Sequence, residues 1–270
     1  MLLAPDSSLA QVRAFVARLA EGLDPQSRYV AELNEIVGAA RDVPDLLERL
    51  ARSSRGARHA GAAVFARMSV EERLRCQLVT NETVLFRFSE GEWEELHELV
   101  ARAAASGAAV RILCAPVSHG EEAFSIASAC LQLGAPFAVV ACDIQPQCIA
   151  EARTGRMTMG FPERYLDSPA VVSREVLERI DFRVADLFRE PGSDGGVPGG
   201  PWDLAVCRNF LGYFREPLAT GLARTLAQRV APGGALLLDS FCVRKFPSLL
   251  PALAASGLRE RGAHPVFVRG

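Results

Sequence analysis

The residues of this sequence best suited to bind a small ligand follow short apolar runs in its second half. The run VRILCA leads into the tight turn APVSHGEE, which begins at Ala115 and would bring backbone N–H groups and Glu121 close to a ligand. The next run, FAVVACD, ends at Asp143, 23 residues beyond Gly120. A carboxylate at about this distance from a glycine turn accepts hydrogen bonds from the ribose hydroxyls of a nucleoside.

Two later apolar runs end in further polar residues. The run FRVADL ends in Asp186, which can accept a hydrogen bond from an adenine amino group, and in Leu187, which can cover the ring. The run WDLAVC is followed by Arg208 and Asn209, with Tyr213 four residues after Asn209. An aspartate at a strand end is by itself more often an ordinary turn residue. Only the four ends taken in order therefore favour a nucleoside ligand.

The first turn differs from the glycine-rich loops that bind dinucleotides. Pro116 stands where the first glycine of a G-x-G-x-x-G motif would be, and no glycine series follows it. A ligand with a nucleoside but no phosphates therefore fits better than a dinucleotide. S-adenosylmethionine has that composition, and we predict it as the cofactor.

These residues need a sheet to position them, and the hydrophobic pattern from about residue 107 predicts one. Short β-rich runs alternate there with helical segments, which favours an α/β fold with a doubly wound, mostly parallel sheet covered by helices. Up to about residue 80 the apolar residues recur at helical spacing, and strand signals are missing. We predict a small all-helical N-terminal domain at 1–80, a linker segment with a connecting helix at 81–106, and the ligand-binding domain at 107–270.

Local signals refine this prediction. Ser69 with Glu72, and Ser89 with Glu92, have the spacing of capping boxes at helix N-termini. The glycine-rich stretch 192–200 cannot hold regular structure and predicts a mobile loop.

The composition excludes several classes of protein. With 30 basic and 32 acidic residues among 270, the formal charge is −2 and the pI about 6.1, so the chain has no overall attraction for nucleic acid or an anionic membrane. Seven cysteines without a C-x-x-C pair disfavour a disulfide framework and a zinc site, and no metal site is predicted. We see neither a signal peptide nor a membrane-spanning run, which favours a cytoplasmic protein.

Five segments, in order, resemble the CheR type of chemotaxis receptor methyltransferase, which uses S-adenosylmethionine to methylate glutamate side chains of chemoreceptors. TNET with FR (80–87) resembles the family's TNxTxFFR, and APVSHGEE with FS (115–125) resembles A(G/P)CSTGEEPYS. ACDIQPQCIAEARTG resembles ATDIxxxxLxxARxG, WDLAVCRNFLGYF resembles FDxIFCRNVxIYF, and VAPGGALLL resembles LxPGGxLxL. The similarity runs from Asn81 to about Leu238 and implies a class I, Rossmann-like methyltransferase domain.

The resemblance implies which residues bind the cofactor and which act in transfer. Arg87 would lie near the methyl group and orient the acceptor carboxylate, and Tyr213 would face the transfer site and donate a hydrogen bond there. Glu121 would hold the amino-acid portion of the cofactor, Asp143 the ribose and Asp186 the adenine. The implied cofactor-binding residues are Asn81, Thr83, Arg87, Ala115, Glu121, Asp143, Asp186, Leu187, Arg208 and Asn209.

The implied activity is S-adenosylmethionine-dependent O-methylation of chemoreceptor glutamates in a chemosensory pathway. A glutamate carboxylate is ionised near neutral pH, so the enzyme mainly has to align it with the methyl group and exclude water. Val117, His119 and Gly212 replace the family's Cys, Thr and Ile. Two alternatives stay open: a CheR-like scaffold or binding protein with impaired catalysis, and a methyltransferase that acts on a small molecule.

The resemblance also implies the partners, which are cytoplasmic helices of chemoreceptors. A basic stripe in the N-terminal domain can meet acidic receptor helices, and a solvated arginine-rich face is an equal alternative. About 25 residues separate Gly155 from Ile180, too few for the three-stranded subdomain with which some members bind a receptor's C-terminal pentapeptide. We therefore do not expect that tether. The stripe consists of Arg49, Arg52, Arg55 and Arg58.

Overall fold

The computed structural model describes Leu3 and residues 7–53, 69–78, 88–156, 166–168 and 171–270. Their contacts divide the chain into two compact units, Met1–Glu82 with Tyr213–Arg215 and Thr83–Gly212 with Glu216–Gly270. The sequence placed residues 213–215 in the segment 107–270, whereas their contacts join them to the first unit. Each unit has a hydrophobic core of its own.

The described part of the first unit is helical, as the sequence predicts. Its helices are α1 Leu9–Ala20, α2 Arg28–Ala39, α3 Val43–Arg52 and α4 Val70–Leu78. Ser8 begins α1 with a capping box, in which Ser8 Oγ accepts from the Gln11 N–H at 3.3 Å and the Ser8 N–H donates to Gln11 Oε1 at 2.7 Å. The side chain of Glu72, in the box predicted at Ser69, lies outside the described residues. The buried core side chains are Val12, Phe15, Val16, Leu33, Val37, Ala40, Leu46, Leu50 and Leu74.

The predicted basic stripe is described only at Arg49 and Arg52, the last of which ends α3. Arg55 and Arg58 lie outside the described residues. Arg49 Nε donates to Asp45 Oδ2 at 3.1 Å, and Arg52 pairs with Glu48. Both described guanidinium groups therefore have a carboxylate partner on their own helix.

A seven-stranded sheet forms the centre of the second unit. Its strands are β1 Val110–Cys114, β2 Phe137–Asp143, β5 Ile180–Val184, β6 Trp202–Val206, β7 Val230–Leu237, β8 Leu258–Arg261 and β9 Val266–Arg269. The order is β5-β2-β1-β6-β7-β9-β8. The first five strands in this order pair in parallel, and β9 is antiparallel to both of its neighbours. This confirms the predicted doubly wound, mostly parallel sheet.

Seven helices accompany this sheet in the described residues. They are α5 Glu90–Ala104, α6 Glu121–Gln132, α7 Pro146–Ala152, α8 Arg174–Leu177, α9 Glu216–Ala227, α10 Ser240–Lys245 and α11 Leu249–Ala255. The predicted capping box begins α5, because Ser89 Oγ accepts from the Glu92 N–H at 3.3 Å and Glu92 Oε2 accepts from the Ser89 N–H at 2.7 Å. Leu96 of α5 and Phe124 of α6 are buried in the core around β1. No helix within the described ranges is long and apolar enough to cross a membrane.

Two hairpins were absent from the sequence prediction. Strand β8 reads L-R-E-R and contains one apolar residue, so its local pattern does not signal a strand. Strand β8 pairs antiparallel with β9. Strand β9 in turn pairs antiparallel with β7, where Phe267 lies opposite Leu236. Between residues 155 and 180 the described chain contains a second antiparallel hairpin, β3 Leu166–Ser168 and β4 Val171–Val172.

Asp45 should link the stability of the first unit to pH. Its carboxylate accepts hydrogen bonds from the Arg41 backbone N–H at 2.8 Å and from Arg49 Nε at 3.1 Å. These bonds hold the pKa of Asp45 at about 2, below its ordinary value of 3.8. Because the folded-state pKa is depressed, the stabilisation is complete above about pH 5 and is lost as the pH falls toward 2. Asp45→Asn should therefore lower the free energy of unfolding in urea at pH 6 and have a smaller effect at pH 3.

The matched control is Glu48→Gln, which removes a more exposed carboxylate from the same helix. An Asp45→Asn effect of the same size at both pH values would contradict the linkage.

Candidate functional site

The carboxyl ends of four parallel strands bring the predicted ligand residues to one edge of the sheet. β1 pairs with β2 on one side and with β6 on the other, so the strand order reverses between β1 and β6. In an open α/β sheet, ligands bind at this reversal point, beyond the carboxyl ends of the strands. The predicted residues that end or follow these strands are Ala115 at β1, Asp143 at β2, Asp186 at β5 and Arg208 at β6.

Asp143 joins the turn after β1 to the end of β2. Its Oδ2 accepts from the Ser118 N–H at 2.8 Å, and its Oδ1 accepts from the Gln145 N–H at 3.0 Å. The side chain is buried, with 7% exposure. Burial raises the pKa of Asp143 above its ordinary value, and the hydrogen bonds from the Gln145 and Ser118 backbone oppose that rise. A carboxylate has about four acceptor sites, so these oxygens retain capacity for ligand hydroxyls.

The turn between β1 and α6 leaves polar groups for a ligand. Ser118 and Gly120 both have left-handed backbones, with φ of 52° and 98°. The Ser118 hydroxyl is buried and has no hydrogen-bond partner among the described residues. Gly120 is the N-cap of α6 and provides no side-chain cap, and Glu121 in the first turn is buried. An orphaned hydroxyl and an uncapped helix N-terminus are groups that a polar ligand satisfies.

Asp186 makes hydrogen bonds within the turn that follows β5. Its Oδ1 accepts from the Phe188 N–H at 2.9 Å, and its backbone N–H donates to the Gly195 carbonyl at 2.8 Å. Gly196 in the glycine-rich stretch also forms an isolated bridge with Asp186. Leu187 is buried beside it. The turn role of Asp186 is thus observed, and the adenine roles of Asp186 and Leu187 stay predictions.

Arg208 is buried between two carboxylates and an aromatic ring. Its Nη1 donates to Glu122 Oε1 at 3.0 Å, and its Nη2 donates to Glu92 Oε1 at 3.3 Å. The guanidinium carbon lies 4.2 Å from the centre of the Phe88 ring. Since Glu92 also belongs to the capping box of α5, Arg208 ties the start of α5 and the first turn of α6 to the end of β6. Its role as a cofactor ligand stays a prediction.

Asn209 continues this edge in a left-handed conformation, with φ of 54°. Its N–H donates to Asp239 Oδ2 at 2.9 Å, and Asp239 Oδ1 accepts from the Cys242 N–H at 2.8 Å. Asp239 is buried and is the N-cap of α10. One carboxylate therefore connects the segment after β6 to the helix after β7.

Of the four remaining predicted residues, the structure describes Tyr213. Asn81, Thr83 and Arg87 lie outside the described residues. Tyr213 belongs to the first unit, where its ring lies 5.5 Å from that of Tyr29 and its carbonyl accepts from the Asp24 N–H at 2.9 Å.

Sequence reasoning missed the groups that position the others. Ser118 and Asp239 act through hydrogen bonds, and Glu92 was predicted only as a helix cap. Their residue types at turns and helix starts were visible signals, but their partners were not. His119, which replaces the family's Thr, pairs through Nδ1 with Glu151 Oε2 at 2.8 Å. Burial raises the pKa of Cys207 well above its ordinary value, which disfavours the reactive thiolate form.

Removal of the Arg208 guanidinium should destabilise the second unit. Arg208→Ala removes the buried guanidinium that pairs with the partly buried carboxylates of Glu92 and Glu122, which should lower the free energy of unfolding by about 3 kcal/mol. Arg208→Lys should cost less, because an ammonium keeps the charge but cannot bridge both carboxylates as a planar fork does. Denaturation in urea measures both changes.

Arg244→Ala, at an exposed position of α10, is the matched control. Equal stability of the Arg208→Ala and Arg244→Ala proteins would show that the cluster contributes nothing to the fold.

Comparison with protein families places the sheet edge within a matched region. Residues 81–240 match the model described as "CheR methyltransferase, SAM binding domain", where SAM is S-adenosylmethionine. The match covers more than half of the chain and includes all the predicted site residues.

Two curated proteins are similar in sequence. The chain is 31% identical over 212 residues to "Probable biofilm formation methyltransferase WspC" of Pseudomonas aeruginosa, which covers 71% of this chain and 46% of that protein. It is 34% identical over 182 residues to "Probable chemotaxis protein methyltransferase" of Rhizobium etli, which covers 59% of this chain and 66% of that protein. The chain therefore spans about half the length of the first relative.

A solved structure is also similar. The N-methyltransferase NodS from Bradyrhizobium japonicum, in complex with S-adenosyl-L-homocysteine, is 16% identical with a TM-score of 0.43, covering 71% of this chain and 94% of that chain.

Proposed function

This chain belongs to the CheR methyltransferase family, and we propose that it transfers the methyl group of S-adenosylmethionine to a glutamate carboxylate of a chemoreceptor protein. The observation that carries the proposal is the buried carboxylate of Asp143, which the turn after β1 holds at the carboxyl edge of the sheet. This carboxylate lies within the matched S-adenosylmethionine-binding region. The names of two relatives, a biofilm formation methyltransferase and a chemotaxis protein methyltransferase, support methyl transfer, and the second supports a chemosensory substrate.

The residues at this edge suit the charges of S-adenosylmethionine, which carries a sulfonium, an ammonium and a carboxylate group. Among the described residues at this edge, the carboxylates of Glu92, Glu121 and Glu122 outnumber the guanidinium of Arg208. This excess of negative charge favours a cationic ligand and disfavours one with several phosphates. The orphaned hydroxyl of Ser118 and the N-terminus of α6 are suited to the ligand's polar groups.

In this proposal the chain's own residues mainly bind the cofactor and orient the acceptor carboxylate. Asp143 accepts hydrogen bonds from the ribose hydroxyls, and Asp186 with Leu187 binds the adenine. Arg87 orients the acceptor carboxylate by charge-assisted hydrogen bonds, and Tyr213 donates a hydrogen bond beside it.

The reaction needs little acid–base chemistry. When bound, S-adenosylmethionine would supply an electrophilic methyl group, and transfer of that group to the carboxylate oxygen would form an ester and give S-adenosylhomocysteine. The acceptor carboxylate is already ionised at neutral pH, so no proton has to be removed from it. Alignment of the acceptor and exclusion of water therefore provide most of the rate enhancement.

Binding of the reaction product tests the cofactor site. Calorimetric titration with S-adenosylhomocysteine should give a micromolar dissociation constant, and Asp143→Ala should weaken it by roughly 10- to 100-fold, because a charged hydrogen-bond acceptor is lost. Asp143→Asn keeps the size of the side chain and serves if the alanine variant fails to fold.

Asp181→Ala removes an exposed carboxylate from β5 and is the matched control. Undiminished binding by both folded Asp143 variants would remove Asp143 from the site. Absence of binding by the folded wild type would leave the scaffold alternative.

Methyl transfer tests the activity itself. With tritiated S-adenosylmethionine and cytoplasmic chemoreceptor fragments, the wild type should produce base-labile protein methyl esters. Arg87→Ala should reduce kcat about 100-fold through loss of acceptor orientation, and Tyr213→Phe about 10-fold through loss of one hydrogen bond. Tyr213→Phe should leave the affinity for S-adenosylhomocysteine unchanged.

The distribution of the label separates the alternatives. Label in a metabolite fraction and not in protein would indicate a small-molecule methyltransferase. Product binding without transfer to any receptor fragment would contradict the proposed activity and favour a scaffold.

A further inference from the structure

Several exposed apolar side chains end or follow strands at the carboxyl edge of the sheet. Among the described residues, seven large apolar side chains are exposed, and four of them end or follow strands at this edge. An exposed apolar side chain beside a ligand site offers surface that a bound molecule can remove from water. The four residues are Ile144, Val184, Phe188 and Phe241.

Phe241 differs from the other three in its place along the sheet. Ile144, Val184 and Phe188 follow or end β2 and β5, on the side where the proposed function places the nucleoside. Phe241 follows β7, on the other side of the reversal point between β1 and β6, and is the most exposed of the four at 58%. The acceptor has to approach from the side that the nucleoside does not fill, so Phe241 lies on the acceptor side.

Phe241 also occupies the space that a side chain at position 212 would need. A Cβ on Gly212 would lie 2.6 Å from Cε1 and 2.7 Å from Cδ1 of the Phe241 ring, closer than such contacts occur in proteins. Gly212 stands where the family pattern has Ile, directly before the tyrosine at the predicted transfer site. In this chain a phenyl ring from α10 therefore takes the place of that aliphatic side chain.

Contacts between α10 and the segment 209–212 lie next to the Phe241 ring. Lys245, the only lysine of the chain, donates from Nζ to the Gly212 carbonyl at 2.5 Å, and Nζ lies 5.4 Å from the centre of the Phe241 ring. Asp239 caps α10 and binds the Asn209 N–H. The segment 209–212 and the start of α10 are therefore held together, with the exposed part of the ring turned to solvent.

We propose that Phe241 is a specificity-determining residue that packs against an apolar side chain next to the target glutamate. The inference rests on the proposed function and specifies its substrate class: a glutamate flanked by leucine, isoleucine or valine on the acceptor segment. Aromatic–aliphatic packing is favourable when both groups leave water. The ammonium of Lys245 adds attraction for an acidic acceptor.

Two synthetic peptides test the inference. Both are helical, about 20 residues long, with one central glutamate, which leucine flanks in the first and serine in the second. With tritiated S-adenosylmethionine, the wild type should methylate the leucine peptide with a kcat/KM about tenfold higher, and the difference should lie in KM. Phe241→Ala should abolish this preference by raising KM for the leucine peptide only. Phe241→Leu should retain most of it.

Leu250→Ala, which removes an exposed apolar side chain from α11, is the matched control and should keep the preference. All variants should bind S-adenosylhomocysteine as the wild type does, which a general structural defect would not allow. An unchanged preference in the Phe241→Ala protein would overturn this inference and leave the proposed function standing. Transfer to neither peptide would also overturn this inference, because a specificity determinant beside the target glutamate should act on a peptide. The proposed function is tested separately, with the receptor fragments.

Discussion

A buried carboxylate at the carboxyl end of β2 determines how the edge of the sheet is built. Burial of a charge without hydrogen bonds is costly, and Asp143 receives its bonds from the backbone N–H groups of Ser118 and Gln145. Donation by Ser118 accompanies a left-handed backbone in the turn after β1, and donation by Gln145 joins the end of β2 to the start of α7. The conformation of the proposed cofactor turn is thus linked to the satisfaction of one side chain.

A second buried aspartate that accepts backbone hydrogen bonds lies on the β6 side of the reversal point. Asp239 accepts from the left-handed Asn209 and caps α10, while Arg208 balances the carboxylates of Glu92 and Glu122. Asp143 and Asp239 are both buried carboxylates that join a loop to a helix start, where backbone N–H groups need acceptors. These hydrogen bonds and ion pairs connect the loops at the carboxyl edge of the sheet to the helices that follow them.

This arrangement is consistent with the proposed cofactor site and the proposed acceptor site lying at one edge of the sheet. On the β2 side, backbone groups satisfy the side chain of Asp143, so a substitution there disturbs the turn as well as ligand binding. On the β7 side, Phe241 is largely exposed and its ring replaces a side chain missing at Gly212. An exposed ring can change without loss of the fold, which suits it to discriminate among acceptors.

The sequence by itself determined the alternation of parallel strands with helices and the residues that end or follow β1, β2, β5 and β6, because apolar periodicity is a local property. It did not predict β8, which contains one apolar residue and depends on pairing with β9. Only the tertiary structure decided that Arg208 would meet Glu92, 116 residues away, and that the contacts of Tyr213 would join it to the helical unit. Such contacts depend on which elements pack together, and that information is distributed over the whole hydrophobic core.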